Sequence, residues 1–472
     1  MNIQLTGTYT DSYQLAMGQA YFSNNLHHKP AVFDYFFRKI PFKGGYVIFA
    51  GLAELLKAIE DLRFSEEDLS YLAESGYDKN YLNYLRDFRF KGSLYGVSEG
   101  EIIFPTEPII RVEGNMLEIQ LIETLLLNIL NFSSLIATKT ARIRSVAPDR
   151  IISEFGLRRA QGLGGLFASR SAIIGGADST SNVFAAKKYG LKSSGTMAHS
   201  FVQMFDDELE AFRSFAKANP ENCILLVDTY DTLKSGVPNA IKVAKEMEKD
   251  GHRLYGIRLD SGDLSYFARK SRQQLDDAGL QYVKIAASNQ LDEYVVRSLM
   301  QQKAPIDIFG VGTNLAIGKP DAALDGVYKL VMADGIPRIK VSENISKITL
   351  PEKKQVYRLL TKDQTFYGAD AIAEINEDKP SKITAPFDAH KSMHIAKLNA
   401  EALLKPLMKN GKSIDLQENI EEIKQFSQKR LAQLPPEYKR FENPHVYKVG
   451  ISSKIQKSRD ELFFKYTGRK NQ

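Results

Sequence analysis

Cysteine is almost missing from this sequence. Cys223 is the single cysteine among 472 residues, which excludes a disulfide framework and any zinc site built from cysteine thiolates. Because Cys223 opens an apolar run, we interpret it as a small residue of the core. Such sparing use of cysteine is typical of a reducing compartment, so the sequence predicts a cytoplasmic protein.

Blocks of like charge and long uncharged apolar runs are missing as well. The 63 basic and 57 acidic residues are interspersed and give a net charge of +6, so a nucleic-acid partner is not expected. The most apolar helical stretch, Met116–Ile136, carries polar residues that would be costly in lipid, namely Glu118, Glu123, Asn128 and Asn131. We therefore predict a core helix there and no membrane association. The first residues lack the basic and then apolar pattern of a signal peptide.

The sequence does contain a repeated unit, in which an apolar run with a polar end is followed by a helix-length amphipathic stretch. The runs end in glycine, arginine, aspartate, serine, threonine or histidine, as buried parallel strands do where they open into functional loops. They lie in segments 152–162, 173–182, 192–201, 224–231, 254–263, 282–289 and 306–314. About seven units at a spacing of roughly 20–30 residues predict an α/β protein with an irregular (β/α)8 TIM-like barrel, whose chemistry sits at the carboxyl ends of the strands.

The chain is long enough for two or three domains. We predict an N-terminal α/β domain over residues 1–135 and the catalytic barrel over residues 136–345. Residues 346–472 form a C-terminal extension, part of which we expect to pack back on the N-terminal domain. Ser65 with Asp68 predicts a helix capping box, and Asp334-Gly335 predicts the turn of a hairpin.

Two of the strand ends carry groups suited to a phosphorylated sugar. The run FGVGTN (309–314) has glycines that let backbone N–H groups approach a phosphate, although a tight turn accounts for it equally well. Arg258 and Asp260 lie two residues apart on one face of a strand. They suit a sugar phosphate with Mg²⁺, or alternatively an internal salt bridge.

Two further strand ends suit a flat aromatic acid and a catalytic histidine. Phe155 with Arg158 offers a stacking face and a guanidinium for a carboxylate, and the alternative is a structural ion pair with Glu154.

His199 ends the third run, and a lone histidine is more often a satisfied polar group than a catalyst. Asp228 ends the next run, where it is predicted to orient the imidazole and raise its nucleophilicity. Thr196 lies three residues before His199 and is predicted to face the same pocket.

Together these segments resemble the nicotinate phosphoribosyltransferase family over most of the chain. The matching pieces are TDSYQLAMGQAYF, YFFRKIPFKGGYVIFAGL, EFGLRRAQG, GTMAHSF, VDTYDT, IRLDSGDL, FGVGTN and KVSENISKITLP. The resemblance implies a homodimer with shared active sites that joins nicotinate to 5-phosphoribosyl-1-pyrophosphate, giving nicotinate mononucleotide and pyrophosphate. It also implies Mg²⁺, a role in NAD biosynthesis and salvage, and coupling to ATP hydrolysis through a transient phosphohistidine.

The resemblance further implies a role for individual residues. His199 would carry the phosphoryl group, and Asp228 would orient the imidazole ring of His199. Nicotinate would lie between Phe155 and the partner subunit's Tyr13. Arg158, Thr196 and Arg258 would surround it. The residues implied in binding phosphoribosyl pyrophosphate are Arg38, Asp260, Gly312, Thr313, Lys340 and Lys347. No residue is assigned as a metal ligand, and Pro351-Glu352 stands where the family commonly has Pro-Gly.

Several alternatives stay open at this stage. A nicotinamide-specific relative is the nearest alternative. That specificity is associated with an acidic residue facing the amide, and we identify none in this sequence. Which arginine binds the carboxylate is equally open. A barrel aldolase would need a Schiff-base lysine at a strand end, and Lys284 is the sole candidate, in mid-strand. A basic nucleic-acid binder would require interleaved arginine and aromatic residues, which we do not find.

Overall fold

The computed structural model describes residues 5–344, 347–414 and 419–468. These residues form two compact units. The first unit comprises the described residues of 1–135 and 323–472, and the second comprises Ile136–Ala322. The core of each unit contains many fully buried aliphatic and aromatic side chains.

The strands in chain order are β1 Pro30–Phe37, β2 Val47–Ile48, β3 Ser93–Gly96, β4 Ile102–Ile103, β5 Ile110–Asn115, β6 Ile151–Glu154, β7 Ser179–Thr180, β8 Ile224–Leu226, β9 Gly256–Leu259, β10 Lys284–Ser288, β11 Ile308–Val311, β12 Gly326–Ala333, β13 Ile336–Pro337, β14 Lys354–Leu360, β15 Phe366–Glu374, β16 Lys382–Ala385, β17 Asp388–His394, β18 Asn399–Ala402, β19 Lys405–Lys409, β20 Lys412–Ser413 and β21 Lys448–Ile451.

The helices are α1 Ser12–Ser23, α2 Leu52–Asp61, α3 Glu66–Glu74, α4 Lys79–Arg86, α5 Met116–Leu121, α6 Glu123–Val146, α7 Leu163–Ile174, α8 Val183–Tyr189, α9 His199–Gln203, α10 Glu208–Ala218, α11 Val237–Lys249, α12 Leu264–Asp277, α13 Glu293–Gln301, α14 Thr313–Ala316, α15 Ile420–Gln433 and α16 Ser453–Thr467.

The first unit contains a seven-stranded sheet in the order β13-β12-β1-β5-β3-β19-β20. Strand β1 is rich in aromatic residues, and it pairs antiparallel with β5 and β12. Seven of its eight residues are buried, as expected of a central strand. The ring of Phe33 on β1 stacks on that of Tyr328 on β12, with 4.7 Å between centroids. This pairing gives β12 its place beside β1 in the sheet.

The first unit also contains a six-stranded sheet in the order β17-β16-β21-β15-β14-β18 and a two-stranded sheet of β2 and β4. The hairpin of β12 and β13 turns at Asp334-Gly335, as predicted, and both residues have positive φ. Because β12 pairs with β1, the hairpin belongs to the first unit, although the predicted barrel extended to residue 345. Residues 345 and 346, at that predicted boundary, lie outside the described part of the chain. The predicted capping box of Ser65 and Asp68 is present at the start of α3.

The second unit contains six parallel strands in the order β7-β6-β11-β10-β9-β8, with helices between successive strands. A parallel bridge between Thr180 and Ser193 adds one more segment beside β7. The mixed α/β class and the parallel repeat are therefore confirmed. One run was assigned wrongly, because the apolar pair Ile173-Ile174 ends helix α7 and the strand follows only at Ser179–Thr180. Periodicity alone does not separate a short buried strand from the end of a buried helix.

The continuous helical stretch Met116–Val146 is long and apolar enough to cross a membrane by composition alone, with a mean hydropathy of 1.5 in its most apolar window. In the structure 72% of that window is buried inside the protein. This burial agrees with the prediction of a core helix.

Glu352 occupies a backbone conformation that favours glycine, with φ of 76°. Its carboxylate accepts a hydrogen bond of 2.6 Å from Ser458. Replacing Glu352 by alanine or by glycine removes this bond in both cases, but only glycine relieves the strain of positive φ. We expect Glu352→Gly to be more stable than Glu352→Ala by about 1 kcal/mol in urea unfolding.

The neighbouring position provides the control for this comparison. Lys353 has no positive φ, and its ammonium bonds to Glu113 at 2.8 Å. At Lys353 we expect the ordinary order, with the alanine variant more stable than the glycine variant. The same order at both positions would show that the conformation of Glu352 carries no strain.

Candidate active site

A cavity of about 290 Å³ runs inside the sheet of the second unit and is lined by residues from all six of its strands. Phe155, Thr196, Arg258 and Ser288 line it at the carboxyl ends of the strands. Parallel strands place the loops that follow them at one edge, which is where catalytic groups gather in such folds. The predicted residues Phe155, Thr196 and Arg258 therefore lie together.

Arg258 organises the polar side of this cavity. Its Nε donates to Ser288 Oγ at 2.8 Å, and its Nη1 donates to Thr196 Oγ1 at 2.9 Å. Its Nη2 donates to Asp260 Oδ1 at 2.8 Å, which is the internal salt bridge considered from the sequence. The guanidinium lies 5.9 Å from the centroid of the Phe155 ring. The cation is thus held rigidly and only 16% exposed, beside an aromatic face.

Asp260 is kept ionised by the same contacts. Burial raises the pKa of its carboxyl, but the hydrogen bond from Ser288 and the positive charge of Arg258 outweigh burial and hold this pKa below its ordinary value. The Oδ2 atom of Asp260 lies 4.0 Å from His199 Nε2. A fixed anion therefore faces the imidazole across a short gap.

His199 begins helix α9, and its ring is held by Thr229. The Nδ1 atom lies 3.1 Å from Thr229 Oγ1. Asp228, the predicted orienting acid, accepts instead from the Asp260 N–H at 2.8 Å and from the Ser261 hydroxyl at 2.6 Å. Both residues lie beyond the end of β8, and it is the Thr229 side chain that reaches His199. Sequence reasoning missed Thr229, although its place directly after Asp228 was a usable signal.

Glu154 ends β6 and Phe155 follows it directly, but their side chains have different surroundings. A side chain at Gly310 would collide with the Phe155 ring, because an added Cβ would lie 2.5 Å from it. Glu154 is fully buried and accepts from Ser169 at 2.9 Å and Thr180 at 2.6 Å. Within the described chain, the Glu154 carboxylate accepts from these two hydroxyls and from the Gly156 N–H. The alternative of an ion pair between Glu154 and Arg158 is therefore not supported. Arg158 is exposed on the turn Leu157–Arg159 and is not among the lining residues of the cavity.

Gly312 and Thr313 stand at the start of the short helix α14, after β11. Thr313 is exposed, and Gly312 makes its turn with φ of −105° and ψ of −104°. The side-chain amide of Asn314 donates to the carbonyls of Gln290 and Leu291 at 3.1 Å each, which ties this turn to the loop after β10. The arrangement leaves Thr313 accessible, as the phosphate prediction requires.

A second cavity, of about 560 Å³, lies in the first unit and is lined by several cations. Arg38, Lys39, Lys347 and Lys354 contribute to its walls, together with Asp34. The structure thus brings together Arg38 and Lys347, two residues predicted to bind pyrophosphate. Such a group of cations suits a multiply charged anion.

Lys329 is a cation that the sequence reasoning missed. Burial lowers its pKa, the Glu123 carboxylate raises it, and the charges of Arg38 and Lys340 lower it again, so that the pKa falls below its ordinary value. These causes place Lys329 within electrostatic reach of both predicted residues.

Two other candidates have simple positions. Tyr13 lies on α1 with half of its surface exposed. Lys284 is the first residue of β10, at the end of the strand away from the catalytic edge, and its ammonium lies 3.3 Å from the Tyr255 hydroxyl. This position argues against a Schiff-base lysine.

The residues suited to a divalent cation are carboxylates rather than a preformed cage. Within residues 5–344, 347–414 and 419–468, no group of three or more His, Cys, Asp and Glu side chains could hold a metal. Asp228 Oδ1 is buried and has no hydrogen-bond partner among the described residues, and the backbone N–H of Asp260 donates to the other oxygen, Oδ2. Mg²⁺ commonly uses one or two carboxylates and completes its shell with substrate phosphates and water, so these two carboxylates fit it.

Comparison with known proteins gives matches over nearly the whole chain. The model of the nicotinate phosphoribosyltransferase N-terminal domain matches residues 8–131, that of the nicotinate phosphoribosyltransferase family matches residues 151–366, and that of the C-terminal domain matches residues 353–459. A nicotinate phosphoribosyltransferase of Bacillus subtilis is 43% identical over 454 residues, covering 94% of this chain and 92% of the relative. One of Dictyostelium discoideum is 36% identical over 518 residues, covering 96% and 88%.

Solved structures give the same result. The crystal structure of human nicotinic acid phosphoribosyltransferase aligns with a TM-score of 0.87 at 30% identity, covering 96% of this chain and 99% of the human chain. Nicotinate-nucleotide pyrophosphorylase from Pyrococcus furiosus aligns with a TM-score of 0.71 at 24% identity over 90% of this chain and 95% of its own, which shows a shared fold.

Proposed function

The chain belongs to the nicotinate phosphoribosyltransferase family, and from this premise we propose that it joins nicotinate to 5-phosphoribosyl-1-pyrophosphate. The products are nicotinate mononucleotide and pyrophosphate, in NAD biosynthesis and salvage. The observation that carries the proposal is the immobilised guanidinium of Arg258 beside the Phe155 ring, inside a cavity of suitable size for a pyridine ring. A cation and an aromatic face are what a planar aromatic acid requires.

In this proposal Arg258 binds the nicotinate carboxylate, and Thr196 and Ser288 hold the guanidinium in place. The ring nitrogen then attacks the anomeric carbon of the sugar as pyrophosphate departs. Asp260 binds ribose hydroxyls, while Gly312 and Thr313 hold the 5-phosphate. Arg38, Lys340 and Lys347 hold the pyrophosphate. Mg²⁺, bound through Asp228 or Asp260 and the substrate phosphates, would neutralise charge that develops on the leaving group.

The preference for the acid over the amide follows from the charges that line the cavity. Asp178 lines it away from the catalytic edge, and its carboxylate already accepts hydrogen bonds from Arg144 and, at 2.9 Å, from the Ile152 N–H. At the catalytic edge the charged lining residue is Arg258. A cation favours a carboxylate over a neutral amide, so we propose nicotinate rather than nicotinamide as the substrate. Equal rates with both compounds in a competition assay would contradict this choice.

We further propose that ATP hydrolysis is coupled to synthesis through phosphorylation of His199. The imidazole is 41% exposed, and Thr229 on one side and Asp260 on the other fix its orientation. The family resemblance supplies the rest of this proposal.

Replacing His199 by asparagine is the test of this coupling. We expect the His199→Asn enzyme to retain basal transfer from phosphoribosyl pyrophosphate but to lose the stimulation by ATP, because asparagine cannot carry the phosphoryl group. Rates with and without ATP, and acid-labile phosphoprotein in neutral and acid-quenched samples, measure the two effects. His252→Asn is the matched control, since His252 pairs with Glu221 at 3.3 Å on the surface. Full ATP stimulation in the His199 variant would remove the proposed role.

Three broader features also belong to the proposal. The closed barrel is supported by the six parallel strands, the added bridge at Ser193 and a cavity that touches every strand. A homodimer with shared active sites is supported by the family and by the exposed ring of Tyr13, the residue assigned to the partner's nicotinate site. The cytoplasmic location rests on the buried, unpaired Cys223.

A further inference from the structure

We propose that Lys354 is a positioning residue for the cation-lined cavity of the first unit. Its ammonium group ties the segment Leu350–Glu352 to strand β1 and so sets the distance between cations on opposite walls of the cavity. The inference rests on the proposed function, because it takes the anion held in this cavity to be the pyrophosphate group.

The ammonium of Lys354 is enclosed by oxygen atoms. It donates to the backbone carbonyls of Leu350 at 2.8 Å, Pro351 at 3.0 Å and Glu352 at 2.6 Å. It also pairs with Asp34 Oδ2 at 2.8 Å, and both side chains are almost fully buried. Four acceptors surround three N–H groups, so no donor is left for a ligand. Lys354 lines the cavity but is not itself an anion-binding group.

Asp34, the acidic partner of Lys354, belongs to the wall of the cavity that carries Arg38. Asp34, Phe36 and Arg38 alternate along β1 and its continuation, and all three line the cavity. Side chains two residues apart on a strand share one face. A group that grips Asp34 therefore also fixes the part of the strand from which Arg38 projects.

The backbone carbonyls that accept from Lys354 belong to the wall of the cavity that carries Lys347. Leu350 follows closely after Lys347, and both line the cavity. Thr349 bonds to Lys340 twice, through its N–H to the Lys340 carbonyl at 3.4 Å and through its Oγ1 from the Lys340 N–H at 2.9 Å. Fixing Leu350 thus fixes the backbone of both predicted pyrophosphate ligands, Lys340 and Lys347.

This geometry separates two tasks that a lysine in an anion site is usually assumed to combine. The exposed lysines contribute positive charge that binds the ligand. The charge of Lys354 is neutralised by Asp34, and this residue sets the distance between the two walls. Removing a direct ligand weakens binding but leaves the backbone in place. Removing Lys354 loosens the backbone of the wall and weakens binding through the ligands that it positions.

The experiment compares the double variant Asp34→Leu/Lys354→Met with the wild-type enzyme. The double substitution removes both charges, so that neither is left buried and unpaired. Calorimetry with inorganic pyrophosphate and Mg²⁺, and separately with nicotinate, measures affinity. Hydrogen exchange at the amides of Lys340 and Thr349 measures the order of the wall. Lys347→Met is the matched variant of a direct ligand.

We expect the double variant to bind pyrophosphate at least about tenfold more weakly, because the cations of the two walls no longer reach one anion together and their charge-assisted contacts lengthen. The same variant should exchange faster at Lys340 and Thr349, while its affinity for nicotinate changes by less than about twofold. Lys347→Met should lose affinity for pyrophosphate without faster exchange. If the double variant does not fold, Asp34→Asn is expected to show the same changes at smaller size.

Two results would overturn the inference. Unchanged affinity for pyrophosphate despite faster exchange would show that the spacing of the walls is irrelevant. Weaker affinity with unchanged exchange would make Lys354 a direct ligand. Failure of the wild-type enzyme to bind pyrophosphate at all would instead refute the proposed function of this cavity, which distinguishes the two failures.

Discussion

Substituting Arg258 by methionine is expected to lower kcat/KM for nicotinate by about 10²- to 10³-fold, since each hydrogen bond to a charged group contributes ~1.5–3 kcal/mol and ~1.4 kcal/mol is a factor of ten. Methionine fills similar space but provides no partner for the substrate carboxylate. It also leaves Asp260 without its ion pair at 2.8 Å, so the group assigned to the ribose loses its orientation. Both changes weaken the stabilisation of the transition state, and KM for nicotinate should rise as well.

Two further variants make this prediction specific. Arg258→Lys keeps the charge but loses the fork that reaches Ser288, Thr196 and Asp260 together, so its activity should fall between that of wild type and that of the methionine variant. Arg269→Met removes an exposed arginine of α12 in the same unit and should leave the rate unchanged. Unfolding midpoints in urea establish that the variants are folded. If Arg258→Met kept its affinity for nicotinate, the carboxylate would have to bind elsewhere, with Arg158 as the next candidate.

The largest effect on stability is expected at Arg358, a fully buried arginine of the first unit. It donates to Glu101 at 2.6 Å and to Asp370 at 2.7 Å, and its guanidinium lies over the Phe366 ring at 4.4 Å. Replacement by methionine leaves these carboxylates buried with too little positive charge. We expect Arg358→Met to lower the free energy of unfolding by about 3–5 kcal/mol, measured by urea denaturation with phosphoribosyl transfer assayed on the folded fraction.

Glu107 in the same cluster provides the control and a dependence on pH. Burial first, and then the neighbouring Asp370 carboxylate, raise the pKa of Glu107 well above its ordinary value. Native Glu107 therefore keeps its proton at a pH where the unfolded chain has lost it. Stability falls as pH rises from the unfolded pKa towards the higher native pKa. Glu107→Gln resembles the protonated acid, so it should be close to wild type in stability at acidic pH and should reduce this fall.

A different outcome would revise the description of this cluster. If Glu107→Gln destabilised the protein as strongly as Arg358→Met, Glu107 would have to be an ionised partner of the arginine rather than a protonated neighbour. The distance of 3.9 Å between Glu107 and Arg358 Nη2 is longer than the other two contacts of the guanidinium, which favours the protonated form.

The relation between sequence and structure differs from one strand end to the next. Arg258 and Asp260 were paired correctly, because alternation along a strand is a local property that two residues reveal. Asp228 was expected to hold His199, and the structure gives that contact to Thr229. The two residues lie beyond the end of β8, and the pattern of apolar residues does not tell which of them contacts the histidine.

Lys354 and Lys329 show a second limit. Both are lysines in runs that contain other lysines, and nothing in the sequence distinguishes the cation that pairs with Asp34 from those that face the cavity. Their roles depend on contacts between residues far apart in the chain, such as β1 with β14 or β12. Glu352 is intermediate, since its departure from Pro-Gly is visible in the sequence but its φ of 76° is not.

The sequence by itself determined the family, the α/β class and the parallel repeat, because these depend on residue types and on short-range periodicity. Only the tertiary structure decided which atoms meet: Thr229 rather than Asp228 against His199, the β12 hairpin against β1, and Lys354 inside a ring of oxygens. The physical reason is that hydrogen bonds and ion pairs act over about 3 Å. Contacts of that length between distant segments are set by how strands and helices pack, and the periodicity of a single segment does not contain them.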